Sequence, residues 1–268
     1  MLHITRLVTH GGVFHADDVF STALFRIMGY HVPVFRVSEV PEDWMRDPSI
    51  IVYDIGFGPF DHHQADSEVR ENGVPYAAFG LLTRHFREVL FSSDGEYERF
   101  DREFVQYMDG SDNGFLEGEN QLSRMIEAFN PAWDEPIGAD DAFLHAVSVA
   151  TILLGQKLKQ NAAMYRADLL ARECTPVGHV LYLDRYVPVG RAFREDDDVK
   201  WVCFPSQRGG WMVSALQDRF GHDKSLFPPE YRGKEGDQLP EGMLFCHKNG
   251  FCAVFDSKER ARQFVESL

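Results

Sequence analysis

Residues 2–29 read LHITRLVTHGGVFHADDVFSTALFRIMG, and this stretch decides the fold class. It predicts a strand over residues 2–9, which stops at a His-Gly-Gly turn, and a helix over residues 17–28, which ends before a glycine. A second strand is predicted over residues 32–37. The nearly continuous apolar run of residues 50–55 is typical of a strand buried on both faces of a parallel sheet. These elements, in this order, predict an open α/β sheet.

The rest of the chain separates helices from strands. Helical periodicity is found over residues 76–91, 98–108, 139–172 and 257–268. Short β runs separated by Gly- and Pro-containing turns are found over residues 180–183, 200–204, 211–216, 243–246 and 251–255. We therefore predict a domain at residues 1–135 with an open, mainly parallel sheet and flanking helices, a helical connector at residues 136–175, and a smaller C-terminal α+β domain at residues 176–268.

Composition excludes several classes of protein. The chain has 268 residues, 44% of them hydrophobic and 26% charged, which is typical of a globular protein and not of a disordered one. Its longest apolar stretch, residues 143–155, is shorter than the about 20 residues that cross a bilayer, and no secretory signal is visible. The four cysteines lack the spacing of a disulfide framework or a zinc ribbon. We expect no membrane association and a reducing, cytoplasmic location.

The net charge of −15 is concentrated in the first half of the chain. Residues 1–150 contain 10 Arg, no Lys and 26 acidic residues, whereas residues 151–268 contain 17 basic and 16 acidic residues. An acidic region repels nucleic acid and other phosphorylated ligands. Most of these carboxylates are expected to keep the surface solvated, but a few could hold divalent cations and locally reverse the field. The second half would then supply the anion-binding wall.

Clusters of His and Asp stand at the ends of the predicted elements. They are His10 after the first strand, His15 and Asp17 at the start of the first helix, Asp54 near the end of the buried strand, Asp61, His62 and His63 in the loop beyond it, and Asp109 and Asp112 after a helix. In an open α/β sheet, ligands bind outside the carboxyl ends of the strands. We therefore expect the clusters that follow strands to converge at that edge.

The mixture of imidazole and carboxylate suits manganese, zinc or iron. The candidate ligands are His10, His15, Asp17, Asp54, His62 and Asp112, with Asp109 or His63 in reserve. These are too many for one tetrahedral site, but they suffice for two ions about 3.5–4 Å apart, which activate a water in phosphoester hydrolysis. Some have a structural alternative, since Asp17 or Asp18 could serve a helix dipole. A purely structural role is harder to assign to Asp54, because burying a carboxylate without a partner costs free energy.

These same residues resemble the four motifs of the DHH phosphoesterase superfamily: His10-x4-His15-x-Asp17, the strand-borne Asp54, Asp61-His62-His63, and Asp112-Asn-Gly. More narrowly, the segments at residues 9–17, 76–86, 112–114, 129–133, 229–233 and 245–251 are similar to the MYG family, named for a melanocyte proliferating gene. The separated motifs occur in the right order from about residue 5 to the C-terminus.

The resemblance implies a dimetal phosphoesterase fold with a C-terminal substrate domain. The MYG family includes an RNA-directed 3′–5′ exonuclease and has also been labelled a metal-dependent protein hydrolase. The ligands implied for one manganese-like ion are His10, His15 and Asp54, and those for the other are Asp17, Asp54, His62 and Asp112. His63 would touch the phosphate or help to protonate the leaving oxygen, and Asp61 would orient the neighbouring imidazole.

The chain departs from the wider superfamily in two places. The superfamily usually has Asp-x-Asp where this chain has His15-Ala-Asp17, and the imidazole makes zinc or iron more plausible than usual. The second domain has His247-Lys-Asn-Gly-Phe251 in place of a Gly-Gly-Gly-His substrate loop. His247, Lys248 and Arg232 are candidates for gripping a phosphate or a terminal carboxylate, although residues 248–250 also have the pattern of a hairpin turn.

The sequence thus predicts a metal-dependent phosphoesterase with two divalent metal ions, manganese in the first place and zinc, iron or magnesium as alternatives. It would be a 3′–5′ exonuclease or an oligonucleotide or nucleotide phosphodiesterase. Its substrate would be a short single-stranded nucleic acid or a small phosphoester, and a homo-oligomer is compatible with the sequence. The alternatives are a metal-dependent hydrolase of a peptide or amide bond and a metal-binding protein without catalytic activity.

Overall fold

The computed structural model describes residues 3–116, 120–136, 138–196 and 198–268. The chain forms two compact units, Met1–Ala162 and Ala163–Leu268. No helix among the described residues is both long and apolar enough to span a membrane.

The first unit contains a three-stranded parallel sheet. Its strands are β1 (Arg6–His10), β2 (Val34–Val37) and β3 (Ile50–Val52), in the order β2-β1-β3. The central strand β1 is buried at Leu7, Val8 and Thr9. The predicted α/β class and the parallel pairing of the first three strands are confirmed. Leu2, the predicted start of the first strand, lies outside the described residues.

Helices account for most of the remainder of this unit. They are α1 (Ala16–Ile27), α2 (Glu42–Arg46), α3 (Ala78–His85), α4 (Arg87–Leu90), α5 (Asp94–Phe100), α6 (Gln106–Asp112) and α7 (Gln121–Glu127). Helix α1 is buried from residue 16 to residue 25, because it contacts α3, α6 and α7 and shares a hydrophobic core with Leu7 of β1. Gly29, with a φ of 87°, follows its end, as the sequence predicts.

A π-helical turn, Asp101–Val105, joins α5 to α6. The helical segment therefore continues beyond the residues 98–108 expected from periodicity, as far as Asp112. This corrects the predicted position of Asp109 and Asp112, which lie in the helix and not in a loop after it. The segment ends beside Gly114, whose φ of 62° is a backbone conformation that glycine adopts without strain.

Helix α8 (Ala139–Glu173) is one continuous helix that contains the division between the units. The second unit continues with a five-stranded sheet in the order β4-β5-β6-β8-β7, in which only β4 and β5 pair in parallel. Its strands are β4 (Val180–Tyr182), β5 (Trp201–Pro205), β6 (Trp211–Ala215), β7 (Met243–Cys246) and β8 (Cys252–Phe255), and helix α9 (Lys258–Val265) follows. The predicted β runs and final helix are present.

The two faces of this second sheet differ. On one face, Cys203, Val213, Ala253 and Cys246 form a buried core together with Ala261 and Val265 of α9. On the other face, neighbouring strands carry a row of side chains from Phe204 through Met212 and Val254 to Phe245. These four side chains are half-buried or exposed. We call this row, together with Tyr186, the open face.

Candidate metal centre

The carboxyl ends of β1 and β3 carry the first site residues. His10 is the last residue of β1, and Asp54 follows β3 by two positions. Asp54 has a φ of 59°, in the left-handed region that Asp tolerates better than most residues. Its N–H donates to the carbonyl of Phe60 at 2.9 Å, which fixes the turn. This turn holds a buried carboxylate at the edge of the sheet, where a strained conformation often accompanies a functional role.

A first group of possible ligand atoms surrounds His10. Its Nε2 lies 3.3 Å from Oδ2 of Asp18 and 3.3 Å from Oδ2 of Asp54. Its Nδ1 lies 3.1 Å from the carbonyl oxygen of Gly11, and a proton on Nδ1 would leave Nε2 with a lone pair directed at the two carboxylates. One ligand atom from each of the three residues lies within 4.8 Å of the others.

A second group joins Asp17, His62 and Asp112, whose ligand atoms also lie within 4.8 Å of one another. His62 stands between two carboxylates: its Nε2 is 2.9 Å from Oδ2 of Asp112, and its Nδ1 is 3.4 Å from Oδ1 of Asp54. Asp17 accepts hydrogen bonds from the N–H groups of Ala78 at 3.1 Å and Phe79 at 2.8 Å. These bonds to the start of α3 fix the direction of the Asp17 carboxylate.

Asp61 and His63 form a hydrogen-bonded pair beside these groups. Nδ1 of His63 lies 2.7 Å from Oδ1 of Asp61, and Oδ2 of Asp61 accepts the N–H of Phe57 at 2.7 Å. Burial acts to raise the pKa of Asp61, but the hydrogen bonds from His63 and the backbone outweigh it and leave that pKa below its ordinary value. Asp61 is therefore an ionised acceptor that directs Nδ1–H of His63 toward itself and leaves Nε2 free.

The buried charges of the centre are poorly compensated without a cation. Burial raises the pKa of Asp18 to about 8, with the charge of His10 acting in the opposite direction. Burial, and then the charges of Asp112 and Asp54, raise the pKa of Asp17 well above its ordinary value. For His10, burial lowers the pKa, but the hydrogen bond to Asp54 and the charges of Asp18 and Asp54 overcome it and raise the pKa to about 9. The two raised aspartate pKa values show that burial and neighbouring carboxylates disfavour negative charge here, an effect that a nearby positive ion would oppose.

Two orphaned atoms test whether a metal ion would fit. Oδ2 of Asp18 and Nδ1 of His62 are buried and have no hydrogen-bond partner within the described part of the chain. Oδ2 of Asp18 faces His10, and Nδ1 of His62 faces Asp54. A buried polar atom without a hydrogen bond lowers the stability of the fold. The donors are imidazole nitrogens and carboxylate oxygens, the set that suits manganese, zinc or iron. The residues present therefore fit divalent cations.

The structure brings most of the predicted ligands together. His10, Asp17, Asp54, His62 and Asp112 belong to the two groups described above. A third group of possible ligand atoms joins Asp54, Asp61, His62 and His63.

His15 and Asp109 are placed differently. His15 is 53% exposed at its side chain, with Nδ1 at 3.9 Å from Oδ1 of Asp112 and its ring 5.6 Å from that of His10. Asp109, the reserve candidate, is fully buried and accepts hydrogen bonds from Arg70 at 2.7 Å and from the N–H of Gly80 at 3.0 Å. Its carboxylate is thus engaged in the protein interior, and it belongs to none of the three ligand groups found among the described residues.

Sequence reasoning missed Asp18 as a possible ligand and Arg70 as a support. Oδ1 of Asp18 accepts the N–H of His15 at 3.0 Å, so the residue serves the helix start as expected while its other oxygen faces His10. The available signal in the sequence was the pair of adjacent acids Asp17 and Asp18, which a single alanine separates from the candidate ligand His15. Arg70 pairs with both Asp101 and Asp109, and an arginine in a polar loop carries no sequence signal for such a buried role.

In the second unit, the three predicted substrate-binding residues lie at one hairpin. The turn between β7 and β8 carries His247 and Lys248, and Gly250 adopts a φ of 75°, so the hairpin reading is confirmed. Nε of Arg232 donates to the carbonyl of Phe227 at 2.7 Å and lies so near Gly250 that a β-carbon there would be 2.5 Å away. Lys248 is exposed, and its Cβ lies close to Gly233, next to Arg232. A role in substrate binding remains a prediction.

Comparison with known proteins gives a match along nearly the whole chain. The model of a family described as an uncharacterised protein family, UPF0160, matches residues 6–267. The MYG1 protein of Chlamydia trachomatis is 29% identical over 278 residues, covering 95% of this chain and 93% of that protein. The MYG1 exonucleases of Rattus norvegicus and Bos taurus are each 25% identical and cover 96% of this chain and 82% of their own length. No solved structure matches the chain.

Proposed function

Because the chain belongs to the MYG1 family, UPF0160, we propose that it is a metal-dependent phosphoesterase that acts on nucleic acid. The reaction would be 3′–5′ exonuclease or oligonucleotide phosphodiesterase hydrolysis. The observation that carries this proposal is the convergence of His10, Asp54, His62 and Asp112 from distant parts of the chain around buried, unpaired ligand atoms. The rat and bovine relatives are named exonucleases, which supports the same class of reaction.

Two ions fit the donor set. His10, Asp18 and Asp54 would hold the first, with His15 as the ligand that the motif resemblance adds, and Asp17, His62, Asp112 and Asp54 would hold the second. We propose manganese, with zinc, iron or magnesium as alternatives, and a shared Asp54 in keeping with the DHH phosphoesterase motifs. Ions of this kind supply Lewis acidity, which lowers the pKa of a water and neutralises phosphate oxygens.

The residues of the chain itself supply orientation and a proton. Asp61 holds Nδ1–H of His63 and so leaves Nε2 directed outward, where it can contact the phosphate or give a proton to the leaving oxygen. The exposed ring of His63 lies 4.3 Å from the ring of His62, so this group stands beside the ligand set and remains accessible to a substrate.

The charge distribution favours small or single-stranded substrates. Residues 1–150 are strongly acidic, which opposes tight binding of a long duplex. We propose that His247, Lys248 and Arg232 in the second unit contact a phosphate of a short strand, since their cationic or hydrogen-bonding groups lie at one hairpin. A cytoplasmic location is proposed with this function.

The proposal is tested by release of nucleotides from a labelled single-stranded oligonucleotide in the presence of manganese. Asp54→Asn should lower the rate by more than about 100-fold, since loss of even an outer-shell partner costs 10- to 100-fold. Asp43→Asn, at an exposed position of α2, is the matched control and should act as the unchanged protein does.

Two results would count against this function. Absence of cleavage of any oligonucleotide or small phosphodiester by the manganese-loaded protein would overturn it. Metal-dependent cleavage of peptides alone would favour the alternative of an amide hydrolase.

A further inference from the structure

The open face of the second sheet is an apolar surface, and at Phe204 it adjoins a buried cluster that contains Val202 of β5 and Ala171 of α8. Phe204 pairs with Met212, Met212 with Val254, and Val254 with Phe245, so one row of side chains crosses four strands. Together with Leu244 and the turn 206–209, these residues line a cavity of about 630 Å³. Such a volume is within the range of small-molecule sites.

Aromatic rings dominate the accessible part of this face. The ring of Tyr186 lies 5.1 Å from that of Phe204, and Tyr186 is 55% exposed. Phe245 is 38% exposed, and its ring is followed along the same strand edge by that of His247 at 6.4 Å and then by Phe251 at 4.3 Å from His247. Flat rings of this kind, spread over a sheet, are the surface on which unstacked bases bind.

Cationic groups without ion partners accompany the rings. Arg208 lies in the turn that lines the cavity, and Arg185 is adjacent to Tyr186. Both side chains are exposed, and neither forms an ion pair with any residue in the described ranges. Lys248, next to His247, is likewise exposed and unpaired there. The surface therefore offers both components that a single strand requires, apolar planes for its bases and positive charge for its phosphates.

We propose that the open face binds the bases of single-stranded nucleic acid, with Tyr186 and Phe245 as stacking residues and Arg208 as a phosphate contact. This inference rests on the proposed function, because it names the substrate class of the same enzyme. A duplex hides its bases in its own stack, so the face selects single strands. Charge complementarity favours this occupant, because the cationic side chains of Arg185, Arg208 and Lys248 are exposed beside the rings.

The test measures binding of a fluorescein-labelled oligothymidylate by anisotropy in a chelating buffer, where cleavage does not occur. The Tyr186→Ala, Phe245→Ala double variant should bind at least about fivefold more weakly, the lower end of what loss of one base–aromatic stack costs. Tyr186→Phe keeps the ring and should bind as the unchanged protein does. Phe220→Ala removes a ring that is 69% exposed but lies outside the open face, and it should leave binding unchanged.

The phosphate contact is tested by the salt dependence of the binding constant. In Arg208→Gln, the slope of the logarithm of the binding constant against the logarithm of the salt concentration should correspond to about one phosphate contact fewer.

Hydrolysis of a small phosphodiester in manganese, with no base to stack, separates the two proposals. If the double variant hydrolyses the small ester normally but loses the oligonucleotide, both proposals stand. If the double variant binds the oligonucleotide as tightly as the unchanged protein, if the unchanged protein does not bind it at all, or if a duplex binds equally well, the open face is not a base-binding surface. If the double variant loses binding but no phosphodiester is ever cleaved, the face stands and the proposed function falls.

Discussion

The candidate metal centre of the first unit and the open face of the second unit are built from opposite kinds of side chain. The centre buries carboxylates and imidazoles, leaves two of their polar atoms without hydrogen-bond partners among the described residues, and raises the pKa of Asp18 and His10. The open face leaves apolar rings half-exposed or exposed beside the exposed arginines Arg185 and Arg208. Buried polar atoms without partners and exposed apolar rings both cost free energy. The difference is that positive charge would stabilise the centre, whereas apolar planes and negative charge would stabilise the face.

The two regions are also held in place by different means. In and beside the centre, backbone N–H groups and ion pairs fix the carboxylates: Asp17 of the centre is bound by the start of α3, and the neighbouring interior carboxylate of Asp109 by Arg70 and Gly80. On the open face, strand register aligns the side chains, as for Phe204 opposite Met212. Substitutions should therefore affect folding stability strongly around the centre and weakly on the face.

Arg70 should give the largest contrast in stability. It is buried and bonds to Asp101 at 2.6 Å and to Asp109 at 2.7 Å. Arg70→Met leaves two buried carboxylates without their cation and should lower the free energy of unfolding by about 3–5 kcal/mol. Arg208→Met, at an exposed position, should change it by less than about 0.5 kcal/mol. Urea denaturation measures both values, and similar small changes in the two variants would contradict the contrast.

Asp18→Asn should have the next largest effect, and its two consequences have opposite signs. Without metal, the variant should be more stable than the unchanged protein, because a buried carboxyl with a raised pKa is replaced by a neutral amide. The variant should also bind manganese at least about 10- to 100-fold more weakly, because the loss of even an outer-shell partner of a metal ligand has an effect of this size. Calorimetric titration gives the affinity, with Tyr186→Phe on the open face as a control. An unchanged affinity would remove Asp18 from the ligand set.

The pH dependence of metal binding should give a smaller but distinct difference. Asp18 and His10 have a raised pKa in the folded protein, about 8 and about 9, so the metal-free folded state keeps protons that the unfolded chain releases. Its stability therefore falls as the pH rises toward these values. A metal ion competes with the same protons, so the increase in Tm caused by manganese should be larger at about pH 8.5 than at about pH 6. An increase that is independent of pH would show that no proton is displaced.

The sequence predicted the α/β class, the parallel strands and the β-rich second half, because each depends on local apolar periodicity. Asp54 was predictable as a site residue, since a carboxylate in an apolar run has few structural explanations. The grouping of His62 with Asp112 was suggested by motif order. Their distance of 2.9 Å, however, depends on helix packing that no local pattern encodes.

The features that sequence reasoning missed arise from contacts between distant segments. Arg70 reaches Asp101 and Asp109 across 31 and 39 residues, so neither its burial nor its partners can be inferred from neighbours in sequence. For Asp18 the local signal was ambiguous, because an acid at a helix start is expected for the dipole alone. Only the direction of its second oxygen distinguishes the two roles.

The π-helical turn at Asp101–Val105 sets the direction in which the helical residues after it point. In a regular α-helix, residues eight positions apart are rotated by about 80° around the axis. The wider turn offsets that rotation, so Asp101 and Asp109 both meet the guanidinium of Arg70. Deleting one residue within the turn would restore regular winding, leave seven positions between Asp101 and Asp109, and so rotate the residues downstream, including Asp112, by only about 20°. A deletion in the regular helix after the turn and before Asp112 would instead rotate Asp112 by about 100° away from His62.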